Sequence, residues 1–253
     1  MQCVILAGGL GTRMKSVTGE QPKALLPIGP QTFIEWQLQW LKLLGVTQAV
    51  LALGYGGEEI REHLEARCPP RGTHAHYPSL EYRFDGKEYL GTGGAIKNVQ
   101  DLLADDFLVT YGDSFLVFDA AGLFQSHLKS KLGATMSIHR NQNTGDRSNI
   151  VYKNGKIVKY DKFNPTADME YIDYGMSALK KSYFITHALP QKFDLAIVLG
   201  EACVENQLGA VVAPEMFYEV GSPVGLERFR AFLAAEGHDL AKLLARVQPS
   251  HQS

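Results

Sequence analysis

Short apolar runs alternate with amphipathic stretches through the first half of the chain, in a regular strand-then-helix rhythm. Val4-Ile5-Leu6 is a brief apolar run closed by Gly8-Gly9, the pattern of a strand buried on both faces. Residues 7–30 are rich in Gly and Pro and predict a long loop, a length that compact domains keep for function or leave disordered. Thr32, with Glu35 three residues on, makes a capping box. It opens a helix that turns Phe33, Trp36, Leu41 and Leu44 inward and stops at Gly45. Further on, 49–53, 81–84 and 107–111 predict strands, and 58–66, 93–103 and 120–129 predict helices. Such alternation implies a mostly parallel sheet covered on both faces.

The second half changes character. Residues 134–139, 150–152, 156–160 and 174–179 read as strands, with Asn154-Gly155 as a hairpin turn between the middle two. A helix over 195–205, strands over 209–212 and 216–220, and a helix over 226–235 follow; the polar tail after 245 predicts fraying. No linker, repeat or low-complexity tract interrupts the chain, so one domain over 1–253 is expected.

Composition narrows the function. A chain of 253 residues buries a core without needing a staple. Its net charge of −2 offers no attraction to nucleic acid or to an anionic membrane, so neither is expected as a partner. A phosphate-handling site must build its positive potential locally. Cys3, Cys68 and Cys203 are odd in number and far apart, which predicts inert thiols in a reducing cytosol rather than disulfides or a zinc knuckle. No basic-then-apolar leader follows Met1, and no apolar run approaches the ~20 residues of a spanning helix. The expected location is the cytoplasm.

The candidate chemistry begins at Ala7-Gly8-Gly9-Leu10-Gly11-Thr12-Arg13, directly after the first strand. Glycines let backbone N–H groups approach phosphate oxygens, and Arg13 adds a forked donor. A glycine turn alone asks only for backbone geometry. The Walker pattern needs Lys-Ser/Thr after its second Gly, which is missing. The dinucleotide pattern needs Gly or Ala where Met14 stands and an acidic residue ending the next strand, where the chain has Leu53-Gly54. Both fail.

Gly8-Gly9-Leu10-Gly11-Thr12-Arg13, followed ten residues on by Pro22-Lys23-Ala24-Leu25-Leu26-Pro27-Ile28, resembles the sugar-1-phosphate nucleotidyltransferase family over nearly the whole chain. The resemblance implies a three-layer α/β/α sandwich with a mostly parallel central sheet, of the nucleotide-diphospho-sugar transferase type. It implies a nucleotide-binding half over about 1–130 and a sugar-phosphate-binding half over about 131–240. Nucleotide binding then falls to Leu6, Ala7, Gly8, Gly9, Gly11, Thr12 and Arg13, with Arg13 and Lys23 catalytic through the phosphates. Leu90-Gly91-Thr92-Gly93-Gly94-Ala95 resembles the segment along base and ribose, which assigns Gly91, Thr92 and Gly93 to the nucleoside; tight helix packing would need the same glycines. Asp113 ends a central strand, where open sheets bind ligands, and the resemblance makes it a nucleotide-site ligand of Mg²⁺. Glu219, in Phe217-Tyr218-Glu219-Val220-Gly221, stands where the family has Asp. Its longer arm leaves direct metal ligation, ligation through water and a strand-end cap all open. Lys162 resembles the lysine that contacts the sugar phosphate. Gly175 would admit the sugar, with Asp173 or Glu170 accepting from its hydroxyls.

The implied reaction is attack of a sugar 1-phosphate oxygen on the α-phosphorus of a nucleoside triphosphate, releasing pyrophosphate. Two other classes stand beside it. A glycosyltransferase would carry Asp-x-Asp where this chain has Asp113-Ser114-Phe115, and a non-catalytic nucleotide-sugar-binding module would be free to lose Lys23 or Asp113. Arg13-Met14-Lys15-Ser16-Val17 and the 90–96 segment look most like heptose-1-phosphate guanylyltransferases; uridylyl, thymidylyl or cytidylyl transfer to another hexose 1-phosphate stays open. A homo-oligomer is left open too. His74-Ala75-His76 has metal-ligand spacing without a third ligand and reads as a surface loop, while Trp36 and Trp40 read as core.

Overall fold

The computed structural model describes residues 1–9, 19, 21–67, 76–86, 88–141, 146–187 and 189–248. Gly11, Thr12, Arg13, Cys68 and His74 lie outside the described residues. Nine strands form one sheet. β1 (Gln2–Ala7), β2 (Gln48–Leu53), β3 (Ser79–Phe84) and β4 (Asp106–Tyr111) run parallel in the order β3-β2-β1-β4. Beyond β4 lie β5 (Ala134–Arg140), β6 (Ile150–Lys153), β7 (Lys156–Tyr160), β8 (Tyr171–Lys180) and β9 (Leu208–Val212). β8 runs antiparallel to both β4 and β5, β9 returns parallel to β5, and the β6–β7 hairpin joins β8 at Tyr171.

Helices cover both faces. In chain order they are α1 (Phe33–Leu43), α2 (Gly57–Arg67), α3 (Gly91–Asn98), α4 (Ala120–Ser130), α5 (Lys181–Ile185), α6 (Leu195–Val204), α7 (Pro223–Ala235) and α8 (Leu240–Val247). The period of two along β1 shows how the layers divide: Cys3 and Ile5 enter a core with α1, α2, α7 and α8, while Val4 and Leu6 enter a second core with α3 and α6. β1, β2 and β4 are therefore apolar on both sides, and the molecule is a three-layer α/β/α sandwich. No helix among the described residues is long and apolar enough to cross a membrane.

Local chemistry sets the helix ends. Glu35 accepts from the Thr32 N–H at 2.9 Å and the Thr32 hydroxyl at 2.7 Å, which closes the capping box at α1. Asp119, Asp194, Ser222 and Asp239 cap α4, α6, α7 and α8 directly, each side chain accepting from a backbone N–H of the first turn. Asn154 and Gly155 take φ of 51° and 76°, the left-handed pair that a two-residue hairpin requires. The indoles of Trp36 and Trp40 are buried and donate to the carbonyls of Ile28 at 2.9 Å and Leu116 at 2.6 Å. Cys3 is buried, and burial pushes its thiol up to about 12, which leaves it inert.

Three expectations shift. The helix over 93–103 is α3 followed by a separate 3-10 turn, Gln100–Leu102. The strand over 216–220 shrinks to Tyr218–Glu219, paired with Ser114–Phe115. The start of the tail expected to fray is the last turn of α8, where Arg246 holds both Glu215 and Glu236 at 2.8 Å, while 249–253 lie outside the described residues.

Glu35 gives the fold a measurable pH signature. Burial alone would raise its carboxyl, but the Thr32, His63 and Arg67 contacts outweigh burial and hold it below the usual carboxylate range. A depressed carboxyl stabilises the fold above its unfolded pKa, and that contribution is lost as pH falls through the folded value. Glu35→Gln should cost about 1–3 kcal/mol in urea unfolding at neutral pH. The gap to the parent should close below the unfolded value of about 4.3; a gap independent of pH would contradict this role.

Candidate functional site

The four parallel strands end around one cavity, which is where the backbone leaves room for a ligand in an open sheet. Its floor exists because glycines let strand ends approach. A Cβ on Gly54 would lie 2.6 Å from the Gly8 carbonyl oxygen, and one on Gly112 would lie 2.8 Å from the Ala7 Cβ. Gly112 also donates to the Leu6 carbonyl at 2.9 Å, which turns the chain so that Asp113 enters the cavity. Leu6, Ala7, Gly8 and Gly9 line the same floor.

Lys23 reaches Asp113 from a 3-10 turn, Lys23–Leu25, anchored by the buried Ala24 and Leu25. Gly56, at φ 67°, packs its bare Cα against the Pro22 ring, which holds the turn against the start of α2. The Lys23 ammonium donates to Asp113 Oδ2 at 2.6 Å. Residues 90 apart in sequence thus meet as a charge-assisted pair facing the cavity.

Glu219 lies beside Asp113 through the backbone, since it pairs with Ser114 and the Val220 N–H donates to the Asp113 carbonyl at 2.9 Å. Its carboxylate accepts from the Gly221 N–H and the Ser222 hydroxyl, directly beneath Gly225 of α7. The side chain therefore caps the strand-to-helix corner, and each oxygen keeps one further acceptor direction. Among the described residues, no three His, Cys, Asp or Glu side chains converge to hold a metal ion.

A second polar group stands on the other half of the sheet. β8 carries two extra residues against β5 between Asp173 and Ser177, and Gly175 occupies that irregularity at φ 103°. Its N–H donates to Asp173 Oδ1 at 2.9 Å. Burial pushes the Asp173 carboxyl up to about 6, against the pull of that N–H and of Lys162. The Lys162 ammonium donates to Asp194 Oδ2 at 2.8 Å, and the Thr92 hydroxyl donates to Asp194 Oδ1 at 3.2 Å. Burial raises the Asp194 carboxyl less than Lys162, the Ala196 N–H and Thr92 lower it, so it stays ionised. Thr92 lines the cavity, so Asp194 ties the cavity wall to Lys162.

Two expected residues fall elsewhere. Gly93 does not line the cavity: a Cβ there would lie 2.1 Å from the Phe193 ring, and the Gly93 and Gly94 N–H groups donate to the Phe193 carbonyl at 3.0 and 3.2 Å. Its bareness serves the seat of α3 against that loop, while Gly91 and Thr92 remain on the wall. Glu170 is exposed and pairs with Arg140 at 3.0 Å; it stands before β8 begins, short of the Asp173–Gly175 irregularity. Asp85 and Tyr89, which also line the cavity, and Asp194 were not singled out from the sequence. Asp85 follows a strand directly, and Asp194 sits at a helix N-cap; those were the available signals.

The glycines should respond unequally to added bulk. Gly93→Ala should lower stability by about 1–3 kcal/mol, since a ring and a helix must part. A Cβ on Gly9 would meet no heavy atom of the described residues within 4 Å, and Gly9→Ala should melt like the parent. Equal thermal unfolding midpoints for the two variants would contradict the packing role of Gly93.

Comparison with known proteins gives the family. The family described as Nucleotidyl transferase matches residues 2–148, which include Lys23 and Asp113. D-glycero-alpha-D-manno-heptose 1-phosphate guanylyltransferase of Campylobacter jejuni is 30% identical over 225 residues, 88% of this chain and 96% of that protein. The Aneurinibacillus thermoaerophilus protein of the same name is 24% identical, covering 88% of this chain and 94% of its own length. The crystal structure of HddC from Yersinia pseudotuberculosis shares the fold with a TM-score of 0.73 at 24% identity, over 92% of this chain and 99% of that one. With more than half its length matched by the family and a relative 30% identical over most of both chains, the chain belongs to the nucleotidyl transferase family.

Proposed function

We propose that the chain transfers a guanylyl group from GTP to D-glycero-alpha-D-manno-heptose 1-phosphate and releases pyrophosphate, with Mg²⁺ as its cation. The observation that carries this reading is the Lys23–Asp113 pair facing a cavity at the carboxyl ends of parallel strands. Base and sugar rest on the two heptose 1-phosphate guanylyltransferases that match most of the chain.

The family generally depends on a divalent metal. The residues present suit one: Asp113 offers a part-exposed carboxylate whose Oδ2 already accepts a cation, the Lys23 ammonium. Mg²⁺ is usually held by one or two carboxylates with phosphate oxygens and water, so Asp113, with Glu219 in support, is a sufficient protein share. When bound, the metal would neutralise charge on the triphosphate.

The chain's own residues do the rest. A sugar 1-phosphate is already anionic, so its oxygen needs no general base; the obstacle is bringing two anions together. In this reading the half over about 1–130 holds the nucleotide, with Gly8, Gly9, Gly11, Thr12 and Arg13 on the phosphates and Lys23 on the α-phosphate. The half over about 131–240 holds the acceptor, with Lys162 on its phosphate and Asp173 and Gly175 beside the sugar. Catalysis is then positioning and charge neutralisation.

Pyrophosphate release from each of four nucleoside triphosphates with several sugar 1-phosphates should be fastest for GTP with the heptose 1-phosphate. A different best pair would replace base or sugar in this reading. Lys23→Ala should slow turnover by about 10²–10³-fold with folding intact; a folded variant of near-parental rate would remove Lys23 from the mechanism. Asp113→Asn should lose most activity and recover only partly in excess Mg²⁺, because an amide oxygen is a weaker ligand. Parental activity of the unmodified chain in excess chelator would exclude the metal.

A further inference from the structure

We propose that Asp194 is a positioning residue for Lys162, holding its ammonium where the phosphate of the acceptor arrives; this rests on the transferase reading above. Lys162 follows β7 in a turn whose backbone is already fixed. Asp161 Oδ1 accepts there from the Phe163 and Asn164 N–H groups at 2.9 and 2.8 Å. What remains to be aimed is the lysine side chain, which is long, flexible and part-exposed. Among the described residues its ammonium donates to one acceptor, Asp194 Oδ2, at 2.8 Å.

The orientation of that carboxylate is set from elsewhere. Asp194 Oδ1 accepts from the Ala196 N–H at 2.9 Å, which caps α6, and from the Thr92 hydroxyl at 3.2 Å. The hydroxyl is itself fixed, because its oxygen accepts from the Leu195 N–H at 2.8 Å. With Oδ1 tied twice, the plane of the carboxylate is settled and Oδ2 is left for the lysine. Asp194 therefore orients Lys162, and not the reverse.

Being held does not use up the ammonium, which keeps its other donors for phosphate oxygens. A lysine ordered in advance spares the acceptor the cost of ordering it on binding. The same ammonium pulls the Asp173 carboxyl down against burial, so it stands toward the irregularity at Gly175 where the proposed function puts the sugar.

The competing role for Asp194 is the helix cap alone, and Asn separates the two. Its amide oxygen accepts the Ala196 N–H and caps as well as Asp does. With that oxygen committed, the amide turns its NH₂ group, a donor, toward the ammonium and lets the lysine go.

The test is pyrophosphate release, measured with the nucleotide and sugar 1-phosphate that the unmodified chain turns over fastest. Asp194→Asn should keep the thermal unfolding midpoint and the KM for the nucleotide. Its KM for the sugar 1-phosphate should rise on the order of 10-fold, with a smaller change in kcat, since the pair is part-exposed and its loss weakens binding. Asp194→Ser, which also caps but is too short to reach the lysine, should show the same split. Lys162→Gln should raise the same KM, and adding Asp194→Asn to it should do little more, because the two act as a unit. A parental KM for the sugar 1-phosphate in folded Asp194→Asn and Asp194→Ser proteins would overturn the inference. So would losses that multiply in the double variant. An unmodified chain that releases no pyrophosphate with any pair would instead overturn the transferase reading itself.

Discussion

Everything at this site depends on how closely backbone can approach backbone where β1, β2 and β4 end. At Gly8, Gly54 and Gly112 the distances leave no space for a Cβ. Side chains there would force the strand ends apart and fill the volume in which a ligand could lie. Because they are missing, the floor of the cavity is main chain, whose N–H groups are fixed in direction and lose no side-chain entropy on binding. The chemistry-bearing residues then come in from the rim: Lys23 on a turn braced by Pro22 and Gly56, Asp113 on the turn after Gly112, and Asp85 directly after β3.

The loop before α6 joins the two halves of the sheet. Phe193 accepts from the first N–H groups of α3 while its ring fills the space left by Gly93, and the next residue, Asp194, holds both Thr92 and Lys162. A displacement of α3 would therefore reach Lys162 through two hydrogen bonds. Rigid contacts of this kind place residues on different halves within the small tolerances that group transfer demands.

Much of this was legible in the chain itself. Strands buried on both faces declare themselves by unbroken apolar runs, so β1, β2 and β4 and a mostly parallel sheet could be read along the chain, though not the order of its strands. Lys23 and Asp113 could be found because their spacing from the glycine loop and the strand end is local. Contacts across long sequence separation were not legible. Nothing around Gly93 says that Phe193, a hundred residues later, presses on it rather than a ligand. Likewise the turn of Glu219 into the start of α7 depends on Ser222 and Gly225 presenting donors and space, which a strand pattern does not encode. Glu170 stands just before β8 and pairs with Arg140, whereas Asp173 lies inside the strand at the edge of its register shift, a difference that their near neighbourhood in sequence does not show.

The pairing of Lys23 with Asp113 carries an electrostatic consequence. Among the described residues that line the cavity, the formal charge is one positive and two negative, from Lys23, Asp85 and Asp113. That part of the lining repels a bare polyphosphate, and the ammonium that could welcome it is already occupied. A polyphosphate carrying its own counter-ion would meet less repulsion, and Asp113, as the residue proposed to hold that cation, would then release the lysine. On the proposed function that part of the lining would work as a filter on ion composition: simple anions would meet a gate held shut by an internal ion pair, and a cation-laden one would bring the means to open it.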